Sequence, residues 1–397
     1  MSREARVERM SQAHDVLAQL ADRTGTQAAD WHLVFKARHG MQVVFEEIAV
    51  DGPGSVATQL LTCATAVDPI LVAGLTPVYG EVNADSLALD PDTLPTGTRA
   101  VVLQHTFGLI DEARARQLRQ RAEGALLVED SCHCVTRMAR REDGTPLADI
   151  SVHSFGIEKM LPTRFGGAIW VNPALSDRDL HARITGRLAT LPVVDGRLEV
   201  AVRSYRTQNG LLNRLPAPLS GPARKALVAA GALEPAIAPV ETQGGLSHPP
   251  LAPSASVITQ IAAALPGLDE TEQRRAAAMA IYREQLADVV QIPESATATS
   301  PLVRFPFFVT DPGEAEPTLK KLTAAGHYAG RWYRPALFPG AANPADYGYT
   351  PGDPSVARTE DLISRIVNLP TDVTPDRARA AADVLVESLT ASASSRI

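Results

Sequence analysis

Short apolar runs alternate with helix-like stretches along the first half of the chain. Seven runs of five or six residues are rich in leucine or β-branched residues and are mostly bounded by Gly, Asp or Pro, as strands are. They are His32–Lys36, Gln59–Cys63, Leu75–Tyr79, Arg99–Gln104, Ala125–Glu129, Ile150–Ser154 and Gly167–Val171. Amphipathic patterns such as Asp111–Glu123 lie between several of them. Strands that alternate with helices predict an α/β fold with a large, mostly parallel sheet covered by helices.

The pattern changes after about residue 172. Eight prolines fall between Pro216 and Pro253, which predicts a long connection without long regular elements. Regular patterns then resume as helices over 254–265, 270–286, 314–325 and 377–389 and a strand over 302–309. We therefore expect an N-terminal helix in residues 1–25, a large domain in 26–254 with a Pro-rich insertion at 175–253, and a small C-terminal α+β domain in 255–397.

Composition narrows the functional classes. The 397 residues are 45% apolar and 21% charged, which is ordinary for a globular protein and unlike a disordered one. The net charge is −7 and no basic stripe is present, so we expect no nucleic-acid partner. The charged N-terminus and the lack of a run of ~20 apolar residues predict no membrane partner. Three cysteines are too few for a disulfide framework, and we expect a cytoplasmic protein.

Polar side chains follow two neighbouring strands of the predicted sheet. Asp130 follows the strand Ala125–Glu129, and Lys159 follows the strand Ile150–Ser154, 29 residues after Asp130. Ligands of open α/β sheets bind at the carboxyl ends of strands. A lysine that can form a Schiff base and a carboxylate that can hold a pyridine nitrogen protonated suit pyridoxal 5'-phosphate (PLP). That cofactor's phosphate needs a serine or backbone amides near a helix N-terminus.

Two strings carry a family resemblance. EDSCHC at 129–134 and ADISVHSFGIEKMLPTRFGG at 148–167 resemble the DegT/DnrJ/EryC1/StrS family of PLP-dependent sugar aminotransferases. The segments TCATA at 62–66, AGLTPV at 73–78 and NLP at 368–370 also resemble the family pattern. The resemblance covers residues 30–171 well and 255–390 loosely. It implies PLP-dependent transferase fold type I, PLP as cofactor and a homodimer with residues of both subunits at each site.

The resemblance also implies roles for single residues. Lys159 resembles the Schiff-base lysine and Asp130 the partner of the pyridine nitrogen. His133 resembles the residue that bonds the cofactor's phenolic oxygen, and Ser154, five positions before the lysine, resembles the phosphate-binding serine. Gly40, with Met41 after it, falls where the family has a glycine turn and a helix start that contact the phosphate.

Departures from the family pattern mark a divergent member. Cys63 stands where the family has an aromatic residue stacked on the cofactor ring. The family's Ser-Gly-Thr becomes His39-Gly40-Met41, so a hydroxyl is lost while backbone amides remain. The asparagine that reaches the neighbouring subunit's phosphate is replaced, at the corresponding position, by Ser247.

A purely structural role is an alternative interpretation for several of these residues. Lys159 is alternatively a surface lysine, Asp130 a helix N-cap and His133 a half-buried histidine with local partners. Ser154 can satisfy local backbone groups, and Gly40 can simply end a strand.

Three further features have competing interpretations. A metal site at Cys132-His133-Cys134 is disfavoured because adjacent residues do not converge on one tetrahedral ion and no second pair exists. His105 is equally compatible with a structural and a substrate-facing role. The cluster Arg331-Trp332-Tyr333-Arg334-Pro335 is either a solvated loop with a packed tryptophan or a site for an acidic donor or nucleotide phosphate.

The function that follows is transfer of an amino group. We expect glutamate or glutamine as the small-molecule amino donor and, as keto acceptor, a nucleotide-linked sugar or a keto-cyclitol. Two alternatives remain open: a PLP enzyme without net amine transfer, such as a sugar dehydratase, and a degenerate fold-type I protein without catalysis. The lysine at 159 argues against the dehydratases of the family, which have histidine there.

Overall fold

The computed structural model describes the backbone of residues 3–394 and, apart from residues 3–9, 217 and 390–394, their side chains. The helices are α1 (Arg3–Thr24), α2 (Ala37–Ala49), α3 (Ala64–Val72), α4 (Glu112–Arg121), α5 (Arg178–Ala189), α6 (Gly196–Leu212), α7 (Ala217–Ala229), α8 (Ala255–Ala264), α9 (Leu268–Leu286), α10 (Pro312–Ala324), α11 (Ala357–Arg365) and α12 (Pro375–Ser394). The strands are β1 (Trp31–Val34), β2 (Ser55–Thr58), β3 (Thr76–Tyr79), β4 (Ala100–Gln104), β5 (Leu126–Asp130), β6 (Ile150–Ser154), β7 (Gly167–Val171), β8 (Arg304–Phe308) and β9 (Ile366–Pro370).

Seven strands form one sheet in the order β1-β7-β6-β5-β4-β2-β3. β3, β2, β4, β5 and β6 are parallel, whereas β7 runs antiparallel to both of its neighbours. Every residue of the central strands β4, β5 and β6 is buried, as expected for parallel strands covered on both faces. The predicted fold class is confirmed: the sheet is mostly parallel, large and covered by helices.

The register sets which polar residues meet at the carboxyl edge of the sheet. Asp130, the last residue of β5, pairs with Gln104 on one side and with Val152 on the other. β6 continues two residues beyond this pair and ends at Ser154. Gln104, Asp130 and Ser154 therefore end three adjacent parallel strands at one edge.

A second, smaller sheet lies in the C-terminal part, where β8 and β9 pair antiparallel. Helix α12 packs against both α9 and α10, and α10 also contacts β9. These elements match the α+β pattern predicted for residues 255–397, while the boundaries of the predicted domains stay predictions. At the other end of the chain, α1 packs against α8 through a face that includes the buried Val16 and Leu20.

One predicted strand is wrong. The parallel strand is β2 at Ser55–Thr58, and the predicted run Gln59–Cys63 forms the connection to α3. Its leucines, Leu60 and Leu61, are fully buried, which explains why this run resembled a strand. The side chain of Gln59 donates to the carbonyls of Leu61 (2.9 Å) and Leu87 (3.1 Å), so it holds loops together.

The Pro-rich stretch is more regular than predicted. Helix α7 runs from Ala217 to Ala229, with Pro216 at its N-cap and Pro218 in its first turn. A proline costs little there because those backbone N–H groups have no partner inside the helix. Pro222 lies within the same helix, and the carbonyl it leaves without a helical N–H donor belongs to Pro218, near the helix end.

Among the described residues 3–394, none of the helices combines the length and the apolar composition needed to cross a bilayer.

Candidate active site

A cavity of about 330 Å³ lies at the carboxyl edge of the large sheet. Three of its lining residues, Gln104, Asp130 and Ser154, are the last residues of β4, β5 and β6. Residues distant in sequence complete its wall, among them Trp332 and Tyr333. The cavity therefore sits where open α/β sheets bind ligands.

The structure brings Lys159 and Asp130 together in this cavity. Lys159 lies in the turn that follows β6, and its Nζ is 5.1 Å from the centre of the Trp332 ring. Its carbonyl accepts a hydrogen bond from Arg275 (3.3 Å), and Glu158 before it has a positive φ of 62°. Asp130 is buried, and its Oδ1 accepts a hydrogen bond from the Cys132 N–H at 3.0 Å. The amine and the carboxylate are thus presented by adjacent strands.

One side of the cavity is suited to an anion. Ser154 Oγ accepts from the Gly156 N–H at 3.2 Å, and α2 begins nearby at Ala37. The close packing of β7 on this helix end requires a glycine, because a Cβ on Gly167 would lie 2.9 Å from the Ala37 nitrogen. A helix N-terminus beside a serine hydroxyl is a common phosphate site.

Two basic side chains of this helix end also line the cavity. Lys36 pairs with Glu234, and Arg38 pairs with Glu241 at 2.5 Å. Burial by itself would raise the pKa of Glu241, yet the charges of Arg38 and Lys36 hold that pKa at about 2. The two ion pairs therefore hold the segment 234–241 against the start of α2, beside the cavity.

The helix start corrects the prediction for Gly40. Because α2 begins at Ala37, Gly40 is inside the helix, packed where a Cβ would lie 3.3 Å from the Ile169 side chain, and it is not among the lining residues. Met41 does line the cavity, but from the second turn of the helix. Sequence reasoning missed Lys36 and Arg38, and the only local signal was the apolar run that ends just before them.

His133 is a neutral imidazole held by the protein. Its Nδ1 accepts from the Phe107 N–H (2.9 Å), which leaves Nε2–H to donate to Tyr333 Oη (2.9 Å). Burial, and then the charges of Lys159 and Arg304, keep its pKa well below 6.5. The Trp332 ring lies parallel to the imidazole within 2°, with ring centres 5.3 Å apart.

Cys63 and Trp332 both line the cavity. Cys63 is the N-cap of α3, and its Sγ accepts a hydrogen bond from Thr65 Oγ1 at 3.1 Å. Position 63, where the family resemblance implies a large aromatic ring, holds this cysteine, and Trp332 of the C-terminal part supplies an indole to the same cavity lining.

Ser247 lies outside the lining of this cavity. Its hydroxyl donates to Glu241 Oε1 at 3.1 Å, so it supports the ion pair of Glu241 with Arg38. Its predicted role toward a neighbouring subunit stays a prediction, since the structure describes one chain.

His105 lines the cavity, and its ring is held by a buried carboxylate, that of Glu129. Its Nε2 lies 2.7 Å from Glu129 Oε1, and the other oxygen of this buried carboxylate accepts from Ser151 Oγ (2.6 Å). Burial would raise the pKa of Glu129, but the His105 hydrogen bond and charge lower it on balance. The imidazole is thus fixed in orientation.

Only the aromatic residues of the segment 331–335 line the cavity, and its arginines lie outside it. Arg331 and Arg334 both pair with Glu316, at 2.9 Å and 2.7 Å, and neither lines the cavity. Trp332 and Tyr333 between them do. The predicted anion site at these arginines is therefore not part of the cavity: both share the single carboxylate of Glu316, and both lie outside the lining.

A metal ion has no evident place in this region. Within the described residues, no group of three or more His, Cys, Asp or Glu side chains has an arrangement that could hold one.

Comparison with known proteins agrees with this geometry. Residues 33–189 match the profile of the DegT/DnrJ/EryC1/StrS aminotransferase family. This stretch, about two fifths of the chain, is therefore similar to that family. The matched residues include the carboxyl ends of β4, β5 and β6, and with them Asp130, Ser154 and Lys159.

Two curated relatives match part of the chain. The spore coat polysaccharide biosynthesis protein SpsC of Bacillus subtilis (strain 168) is 29% identical over 123 residues, which cover 30% of this chain and 32% of SpsC. The L-glutamine:2-deoxy-scyllo-inosose aminotransferase of Streptomyces paromomycinus is 28% identical over 173 residues, 38% of this chain and 41% of that protein. The matches thus span well under half the length of either relative.

The fold extends further than the sequence similarity. The sugar aminotransferase CalS13 from Micromonospora echinospora superposes with a TM-score of 0.66 at 20% identity, covering 98% of this chain and 97% of that chain. The shared fold therefore includes the C-terminal part that the family profile does not match.

Proposed function

We propose that this protein is a PLP-dependent aminotransferase that moves an amino group from glutamate or glutamine to a keto group of a nucleotide-linked sugar or a related small molecule. One observation carries the proposal: the Lys159 amine and the Asp130 carboxylate line one cavity that also contains Ser154 and the first turn of α2. The names of an inosose aminotransferase and a sugar aminotransferase among the similar proteins support this class of acceptor.

The residues present fit PLP. The cavity holds an amine, a buried carboxylate and, beside Ser154, a helix N-terminus suited to a phosphate. PLP, when bound, supplies an aldehyde that forms a Schiff base with amines and a ring that accepts electrons. Asp130 would hold a proton on the ring nitrogen, and Ser154 Oγ with the N–H groups of Ala37 and Arg38 would hold the phosphate.

Lys159 has the catalytic role in this proposal. Its Nζ would take a proton from the α-carbon of the amino donor and return one to the carbon that receives nitrogen, as a general base and acid. The Trp332 ring limits where this amine can move, since Nζ lies over its face. Apolar lining residues such as Phe338 and Ile157 would limit the access of water to this amine once the substrate is bound.

His133 would have a positioning role here. With Nδ1 bonded to the backbone and Nε2 to Tyr333, it fixes the Tyr333 hydroxyl at the cavity wall. By family resemblance we also propose a homodimer, in which Ser247 of one subunit would approach the phosphate of the other.

The test is an absorption titration with PLP. We expect the wild-type protein to gain the visible band of lysine-bound cofactor and Lys159→Ala to lack it. Lys36→Met examines the other cavity lysine and should keep the band at saturating PLP. Lys225→Ala, an exposed lysine of α7, is the matched control and should behave as wild type.

Addition of amino donors separates the functions. Glutamate or glutamine should bleach the band of an aminotransferase as the pyridoxamine form accumulates. A band that no amino donor changes would favour a PLP enzyme without net amine transfer or a protein without catalysis. A band that persists in Lys159→Ala and disappears in Lys36→Met would refute the assignment of Lys159.

A further inference from the structure

Four basic side chains line the cavity, and they differ in their counter-ions. Lys36 pairs with Glu234, and Arg38 pairs with Glu241. Lys159 is the amine assigned to the cofactor. The fourth, Arg164, forms no ion pair with any carboxylate of the residues that the structure describes; its Nη1 donates to the Thr163 carbonyl at 2.9 Å.

The backbone around Arg164 is firmly held. Thr163 Oγ1 donates to the Phe155 carbonyl, and the Phe165 ring stacks on Phe35 with ring centres 5.4 Å apart. Both neighbours of Arg164 are buried, whereas Arg164 itself is only half-buried. Its side chain is therefore attached to a fixed point of the cavity wall and keeps access to solvent.

A second guanidinium lies beside it. Arg206 of α6 donates to the Pro162 carbonyl at 2.7 Å, two residues before Arg164. Burial and then the Arg206 charge lower the pKa of Arg164, against smaller opposite effects of Tyr205 and Glu158. Glu158 is itself paired with Arg304 at 3.2 Å. The cavity wall thus carries positive charge that the protein only partly compensates.

We infer that Arg164, with Arg206 beside it, binds the anionic group of a substrate. This inference rests on the proposed function and names what the site recognises: the carboxylate of the amino donor or the phosphate of a nucleotide-linked acceptor. Arginine suits both, because its planar fork can donate two parallel hydrogen bonds to such an oxyanion. A half-buried cation that has no ion-pair partner of its own is stabilised by a ligand of opposite charge.

The experiment compares Arg164→Gln and Arg164→Lys with wild type. Arg203→Gln is the matched control, since Arg203 is on the same helix as Arg206 but pairs with Glu199 at the surface. The first measurement is the donor concentration that half-bleaches the PLP band, for glutamate and for its α-amide, which lacks the α-carboxylate. The second is competition by uridine diphosphate as a probe of the acceptor phosphate.

Loss of one charge-assisted contact should weaken binding by about tenfold to a hundredfold. A loss for glutamate but not for its α-amide assigns Arg164 to the donor; a loss for uridine diphosphate alone assigns it to the acceptor. Arg164→Lys should recover part of the loss, because it keeps the charge without the fork. The inference is overturned if wild type and Arg164→Gln have the same half-bleaching concentration of glutamate and the same competition by uridine diphosphate.

Two further readouts separate this inference from the proposed function. If Arg164→Gln weakens binding of PLP but not of pyridoxal, the oxyanion is the cofactor's phosphate and the assignment to a substrate is overturned. If wild type shows no PLP band at all, the proposed function fails. The inference is then tested by calorimetry, which measures the binding of glutarate and of uridine diphosphate to wild type and to Arg164→Gln. Tighter binding to wild type than to Arg164→Gln then supports it, and equal binding overturns it.

Discussion

Asp68 of α3 shows how strongly burial changes a single side chain. Its Oδ1 accepts from the Tyr347 hydroxyl at 2.6 Å, and that hydroxyl accepts from the Gly244 N–H at 2.9 Å. The carboxyl group has no exposed surface. Burial, opposed by the Tyr347 hydrogen bond, raises its pKa to about 8; Glu241 adds to the rise, and Arg38 opposes it. At neutral pH the folded protein therefore keeps a proton here that the unfolded chain releases.

Asp68→Asn should change how stability depends on pH. The proton stabilises the fold fully below the unfolded pKa near 3.8, and this contribution is lost as pH rises through about 8. Asparagine cannot ionise, so the free energy of unfolding of the variant should rise relative to wild type between pH 5 and 9, by about 4 kcal/mol. A difference that stays constant over this range would show that Asp68 does not titrate as described.

At the scale of elements, aspartates begin three helices in the same way. Asp111, Asp177 and Asp195 each accept a hydrogen bond from the N–H three residues later, at 3.0, 2.9 and 2.8 Å. They cap α4, α5 and α6, and a negative charge also suits the positive end of a helix. The last two caps lie in the region 175–253, which the sequence analysis treats as a Pro-rich insertion, and before Pro216, where the stretch predicted to lack long regular elements begins.

Removal of one such cap should destabilise the protein measurably. Asp195→Ala should lower the free energy of unfolding by about 1 kcal/mol, because the Leu198 N–H loses its acceptor. Asparagine retains an acceptor oxygen, so Asp195→Asn should lower the free energy of unfolding by less. Chemical denaturation followed by circular dichroism can compare the two variants. Equal losses in both variants would mean that the hydrogen bond contributes nothing.

At the scale of the whole molecule, buried neutral histidines make the fold sensitive to acid. Burial lowers the pKa of His39 to about 3 and that of His153 to about 4. Nearby cations add to the shift at His39, whereas the Glu129 charge opposes it at His153. Both imidazoles take up a proton on unfolding at acidic pH.

Stability should therefore fall as pH decreases below the unfolded pKa of 6.5. At pH 5 each of the two histidines should cost about 2 kcal/mol relative to pH 7. Urea titrations at pH 7, 6 and 5 would measure the loss, and His153→Asn should reduce the proton uptake on unfolding by about one. At pH 5, a proton uptake on unfolding that is the same in wild type and His153→Asn would contradict the assignment; the wild-type midpoint alone does not decide it, because the Asp68 proton acts in the opposite direction over this range.

The α/β class and three residues of the cavity could be predicted from the amino-acid pattern alone. Strands with buried apolar runs alternate with capped helices. This pattern is visible in the sequence because it depends only on residues that are close together along the chain. Asp130, Ser154 and Lys159 each lie at or just after a parallel strand, so the common direction of these strands brings them to one edge. Their predicted proximity followed from topology, before any side-chain contact was known.

The other cavity residues are brought together by contacts between distant parts of the chain. Tyr333 bonds to His133 across 200 positions, and Lys36 pairs with Glu234 across 198. Such contacts depend on how separate elements pack, and no local pattern encodes their distance. The start of α2 at Ala37 likewise packs closely on Gly167 of β7, a residue 130 positions later in the chain. Local periodicity therefore specified the sheet and its edge, while long-range packing specified which charges and rings face the ligand.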